Sequence, residues 1–146
     1  MNRFVLTVFF LFIASFVEAA PTVCIKGPYS STVPNLDTAT IETSGTTLTL
    51  GFSEPVTRGS AYNDNQWTLS CSTTSGLSVA YSSGDDTSTW TMAISGGTVK
   101  TSATDICTVS FDGTANSVEN FIEIDLDSVS NFSVDNNSAQ EASGDC

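Results

Sequence analysis

The side chains able to do chemistry in this sequence are mostly carboxylates. The chain carries 16 acidic and 4 basic residues, and it has no histidine. Without histidine, neither a Ser-His-Asp nor a Cys-His site can be assembled. The sequence also lacks a GxSxG elbow, an HExxH pair and a lysine-bearing phosphate loop. What remains is oxygen chemistry. Calcium takes about six to eight oxygen ligands, which loops gathered at one end of a β domain can supply. Glu54, Asp64 in "YNDN", Asp112 and Glu119 are the candidates for such a set, although no EF-hand spacing joins them. Glu123 and Asp125 in "FIEID" stand two apart, hence on one face if extended. Paired carboxylates can act as acid and base on a glycoside, but no further acid is placed opposite these two, and solvated like charges are the plainer reading. Tyr62, in a polar loop, is the candidate for contact with a ligand.

Glu54 has a competing structural role. In "TLTLGFSEPV" the alternation that places Leu48, Leu50 and Phe52 on one face also turns Glu54 inward, at the rim of the domain. Pro55 removes a backbone donor and restrains Glu54 to extended geometry, so ladder pairing is expected to end there. A carboxylate at that rim can accept backbone N–H groups from a neighbouring loop and fix the corner, and this reading is preferred over a calcium ligand. Asp85-Asp86 in "SSGDDTST" is hairpin-tip chemistry first and a ligand site second.

The elements that must position these groups are short and alternating. Residues 39–41, 46–52, 66–72, 77–82, 89–95 and 106–111 each send every second apolar side chain to one face, with turn residues between them. Trp67, Leu69 and Cys71 share a face, as do Trp90, Met92 and Ile94, and Cys107, Val109 and Phe111. Core packing is therefore expected for both tryptophans. The fold class this predicts is all-β, a two-sheet antiparallel sandwich of about seven strands.

Four cysteines, at positions 24, 71, 107 and 146, permit three pairings. Cys71 and Cys107 both point at the core, so a bond joining two central strands is the economical choice. Cys24 and Cys146 would then tie the chain ends together, with a free Cys146 for attachment to another chain as the alternative. The first 19 residues have the layout of a secretory signal: Arg3, the apolar run Phe4 to Val17, and the small-residue end "VEAA". That run is shorter than the ~20 residues of a spanning helix. The expected organisation is a signal at 1–19, an extended lead-in at 20–35, the β domain at 36–138, and a polar tail at 139–146 ending in cysteine. Two sequons, at Asn131 and Asn136, are glycan acceptors if the source is a eukaryote.

"SGTTLTLGFSEPV" (44–56), "WTLSCS", "TSTWTMAISGGTVKTSATDICTVSFDG" (87–113) and "LDSVSNFSVDNNS" (126–138) together carry a resemblance. In this order they resemble one immunoglobulin-like repeat of the "TLTFSEPV" type, found in tandem in bacterial surface proteins, including a swimming-related cell-surface protein. The resemblance covers about residues 36 to 138. It implies an immunoglobulin-like fold and an extracellular adhesive or structural setting, and it carries no shared active site. This chain departs from the family in being a single copy, in its four cysteines, and in "GTANSVENFIEID" after Asp112.

Net charge of −12 sets the partners. Such a surface repels phosphate backbones and anionic lipid, so nucleic acid is close to excluded as a partner, and the shortness of the one apolar run means that no membrane span is expected. The expectation is a secreted, non-catalytic module at or near the cell surface, binding an extracellular protein or polysaccharide or building structure there. No cofactor is required, with Ca²⁺ as the exception if the acidic loops converge. The alternatives are a Ca²⁺-dependent carbohydrate-binding module and, at a distance, a small carboxylate-based hydrolase.

Overall fold

A computed structural model describes residues 32–101, 104–113 and 117–139. The signal segment, Cys24, Cys146, most of the lead-in and nearly all of the tail lie outside these residues. The described chain is all-β, with eight strands and a single turn of 3-10 helix at Asp64–Gln66. In chain order the strands are β1 Leu36–Ile41, β2 Thr47–Arg58, β3 Trp67–Cys71, β4 Ser78–Ser83, β5 Thr87–Ser95, β6 Cys107–Phe111, β7 Val118–Asn120 and β8 Val129–Asn136.

Hydrogen bonding links seven of them in the order β3-β6-β8-β1-β2-β5-β4, and β7 pairs the far end of β2. All pairings are antiparallel except β1 with β8. The path bends back so that its end strands, β3 and β4, touch, which leaves the sheet nearly closed. β8 belongs to both parts of the path. Its first residues pair β6 from Val129 to Val134, and its last two, Asp135 and Asn136, pair β1.

Alternation builds the core as the sequence requires. Leu48, Leu50, Phe52 and Val56 of β2 are buried while the residues between them are not. Trp90, Met92 and Ile94 do the same on β5, and Cys107, Val109 and Phe111 on β6. One core receives side chains from all eight strands, down to Val118 of β7 and Val134 of β8. Trp67 and Trp90 are both core residues, and the Trp90 ring N–H donates to Val56 O at 3.3 Å.

The structure departs from the sequence reading at three places. β2 does not stop at Pro55 but continues to Arg58. Pairing lapses around the proline, with a register break between Gly51 and Val56 in the β5 ladder, and resumes beyond it with β7 as a new partner. The strand survives because an edge-type interruption costs one donor, not the direction of the chain. Cys71 and Cys107 are bonded, but β3 stands at the end of the strand order, so the bridge joins an edge strand to its neighbour, not two central strands. Residues 121–124 form a tight turn with Glu123 at φ 62°, so Glu123 and Asp125 do not share an extended face. Asp125 instead bridges back to Glu119.

Candidate functional site

The described polar side chains gather into three nodes, each built on a strand end. At the first, β2 delivers Arg58 beside the tip of the β4–β5 hairpin. Gly84 at φ 123° and Asp86 at φ 61° make that tip, which confirms the Gly-Asp-Asp turn. The Arg58 guanidinium forks onto Asp85, with Nη2 to Oδ2 at 2.7 Å and Nε to both oxygens at 3.1 Å, while the Arg58 backbone N–H also donates to Asp85 Oδ1. Its hydrogen bond from Arg58 holds the Asp85 carboxyl below the usual carboxylate range, and the guanidinium is correspondingly raised, first by its bond to Asp85. The guanidinium carbon lies 3.8 Å above the Tyr81 ring.

Asp64 anchors the same node from below. Asn63 caps the 3-10 turn, accepting from Asn65 N, while Gln66 Oε1 accepts from Asn63 N. This fixes Asp64, whose Oδ1 accepts from the Tyr62 hydroxyl at 2.8 Å and from Tyr81 N at 2.8 Å. Tyr62 is half-buried, its ring edge-on to Tyr81 and Trp90. Burial pushes the Tyr62 hydroxyl well above its ordinary value, and donation to Asp64 raises it further. It is a locked donor, unsuited to releasing a proton.

The second node is Glu54. Its side chain keeps the inward parity expected of it, and Oε2 accepts from Asn120 Nδ2 at 3.4 Å. Asn120 Oδ1 in turn accepts from Ile122 N and Ile124 N, which shapes the turn after β7. Glu54 thus acts on a loop, as the corner reading expects, but through a side-chain amide in place of backbone N–H groups. Its Oε1 is buried and has no hydrogen-bond partner among the described residues.

The third node lies outside the residues that the sequence singles out. Asp105 is fully buried beside the Cys71–Cys107 bridge. Its Oδ1 accepts from Thr73 N at 2.8 Å, Thr74 N at 3.3 Å and Ser72 Oγ at 3.4 Å, and its Oδ2 accepts from Thr74 Oγ1. Burial pushes the carboxyl up, but the bonds from the Thr74 hydroxyl and the Thr73 and Thr74 N–H groups outweigh it, and the net shift is downward. Asn136 closes the same region, its Nδ2 donating to Lys100 O and Asp105 O at 2.8 Å each. Asn136 is buried and its amide nitrogen spent, so this sequon offers no free acceptor in the folded domain, whereas Asn131 is exposed. Parity held the signal for Asp105 and Asn136: they share the inward faces of Cys107 and Val134.

Glu54, Asp64, Asp112 and Glu119 are not brought together as a calcium set. Asp64 belongs to the tyrosine node and Glu54 to Asn120. Asp112 lines a shallow polar depression with Gln66 and Ser128, and Glu119 stands opposite Thr57 and Asp125. The one convergence of three metal-type side chains among the described residues is Cys71, Asp105 and Cys107, where both sulfurs are already bonded to each other.

The site and strand order define an all-β domain with an internal bridge and ionic side chains turned to loop fixing. No protein-family model matches the chain, and no curated protein matches it. Among solved structures it is similar to the N-terminal part of the bacterial S-layer protein SbsC, with TM-score 0.54 and 15% identity. The match covers 73% of this chain and 24% of that one, so the chain spans about a quarter of the S-layer structure it matches. The likeness is one of fold.

Proposed function

We propose that the chain is an exported, non-catalytic immunoglobulin-like module, its strands arranged as two packed layers, with a binding or structural role at or near a cell surface. The observation that carries this reading is how its best-placed carboxylates are used. Asp64, Asp85 and Asp105 spend their oxygens on loop N–H groups, hydroxyls and Arg58, leaving their chemistry inside the fold. The Cys71–Cys107 bridge suits an oxidising compartment, and the fold likeness to an S-layer segment suits a surface setting. Strong net negative charge keeps such a domain soluble and away from phosphate backbones.

The test is a co-sedimentation panel of the exported protein with insoluble polysaccharides and isolated cell envelopes, run beside turnover assays on soluble glycosides. Retention on envelopes without turnover is the expected result. Release of reducing ends would overturn the non-catalytic reading. A rise in melting temperature with millimolar Ca²⁺ would instead support a calcium-dependent module, since a ligand held only by the folded state stabilises it.

A further inference from the structure

Asp105 stands two residues before Cys107, and Cys107 lies directly across the β3–β6 ladder from Cys71. A carboxylate oxygen of Asp105 comes within 4.8 Å of both bridge sulfurs. The groups that fix it there are the N–H groups of Thr73 and Thr74 and the hydroxyls of Ser72 and Thr74. All of them are neutral. They favour the ionised carboxyl without cancelling its charge, so a negative charge is buried beside the bridge.

The two sulfurs are not equally open. Cys107 is 1% exposed, whereas Cys71 is half-buried on the strand at the end of the path. In thiol–disulfide exchange a thiolate attacks one sulfur, and the other leaves as a thiolate. Burial closes Cys107 to attack, so an incoming thiolate bonds to Cys71 Sγ and the Cys71–Cys107 bond breaks with Cys107 as the leaving thiolate. That thiolate forms in the core, beside the Asp105 carboxylate. Like charges so close in a desolvated site oppose one another, and exchange slows as the leaving thiolate becomes more basic.

We propose that Asp105 is an electrostatic guard of the Cys71–Cys107 bridge, opposing both the thiolate that approaches Cys71 and the Cys107 thiolate that must depart. The cross-link is thereby kept closed against thiols in the surroundings. The bond changes it resists are those of ordinary exchange: an external dithiol is oxidised to its disulfide, the bridge is reduced to two thiols, and the protons of the dithiol pass to them. Asp105 gains and loses nothing in the reaction. Its effect is on the rate.

Reduction of the full exported chain by dithiothreitol, without denaturant and followed by peptide mapping of the freed thiols, tests the proposal. Asp105→Asn is expected to raise the second-order rate constant by about tenfold or more, the part of a like-charge repulsion at that distance which a leaving group feels. Val56→Ala, a core truncation on β2 that lowers stability but keeps the charge, is expected to change it by less than about threefold. A wild-type rate in Asp105→Asn, or equal acceleration in both variants, would overturn the guard, since the bridge would then open only through lost stability. The wild type gives a second measurement that needs no variant to fold. A cationic aminothiol is expected to form its mixed disulfide on Cys71 faster than a neutral hydroxythiol, each rate scaled to that on a small free disulfide. The lead is expected to persist at about 1 M salt, where charges more than about 3 Å away through solvent are screened. Equal scaled rates there, or an adduct on Cys107, would overturn the proposal.

Discussion

Arg58 and Tyr81 are stacked, the guanidinium carbon 3.8 Å from the ring centroid, and both residues hold Asp85. The Tyr81 hydroxyl accepts from the Asp85 N–H at 2.7 Å, and Arg58 forks onto the same residue's carboxylate. One arginine therefore clamps the tip of the β4–β5 hairpin to the end of β2. Lysine keeps the charge but can neither fork nor stack as a plane. Arg58→Lys is expected to melt closer to Arg58→Ala than to the wild type, and to keep that ranking in high salt, in a thermal denaturation series.

Asp105 sets an acid limit. Its carboxyl and that of Asp85 lie below the usual carboxylate range in the folded protein. Depressed values mean that their stabilisation is complete above the unfolded value of about 3.9 and is lost as pH falls through the folded values. Urea midpoints are expected to hold from pH 7 to 5 and to fall below about pH 4. Asp105→Asn exchanges a buried acceptor of four donors for an amide, at an expected cost of about 2–3 kcal/mol at pH 7, with a shallower decline in acid.

Tyr62 works in the other direction. Its folded value is raised, so its contribution is present below the ordinary tyrosine value of about 10 and is lost as pH rises beyond it. Tyr62→Phe removes the group that titrates. The variant is expected to lose less stability than the wild type between pH 8 and pH 11, measured by melting at both values.

Two glycines separate backbone strain from collision. Gly76, at φ 72°, has open space where a Cβ would sit, while a Cβ on Gly84, at φ 123°, would meet Thr89 O at 2.3 Å and the Trp90 Cα at 2.8 Å. Gly76→Ala is expected to cost about 1 kcal/mol, the price of the left-handed backbone alone. Gly84→Ala is expected to cost about 3 kcal/mol or more, because the tip must also move off Trp90. Denaturant titration of both variants checks the difference.

The bridge between Cys71 and Cys107 closes a separation of 36 residues. In the chain-entropy account a loop of that length is worth about 4 kcal/mol. Non-reduced peptide mapping is expected to recover the Cys71–Cys107 pair, and replacing both cysteines by alanine to lower stability by about that amount.

Alternation made much of this legible. The parity of Trp67, Trp90, Cys71 and Cys107 was readable from residue order alone, because a strand with one dry face has a period of two. The hairpin tip at Gly84-Asp85-Asp86 was readable because turn residues announce themselves. Pairing partners were not, since nothing local says that β2 will exchange β5 for β7 after Pro55, or that β3 will stand at an edge. The polar nodes were hidden for the same reason. Arg58 and Asp85 are 27 residues apart, and Asp105 and Thr73 are 32 apart. The inward parity of Glu54 is legible in residue order, but its partner Asn120, 66 residues away, is not.

Because β1 and β8 run side by side in the same direction, tension drawn between Leu36 and Asn136 slides one strand lengthwise along the other. The bonds of that seam then bear the load together instead of parting one after another. A domain joined in this way to its surroundings would resist stretching along its length far better than peeling from its side.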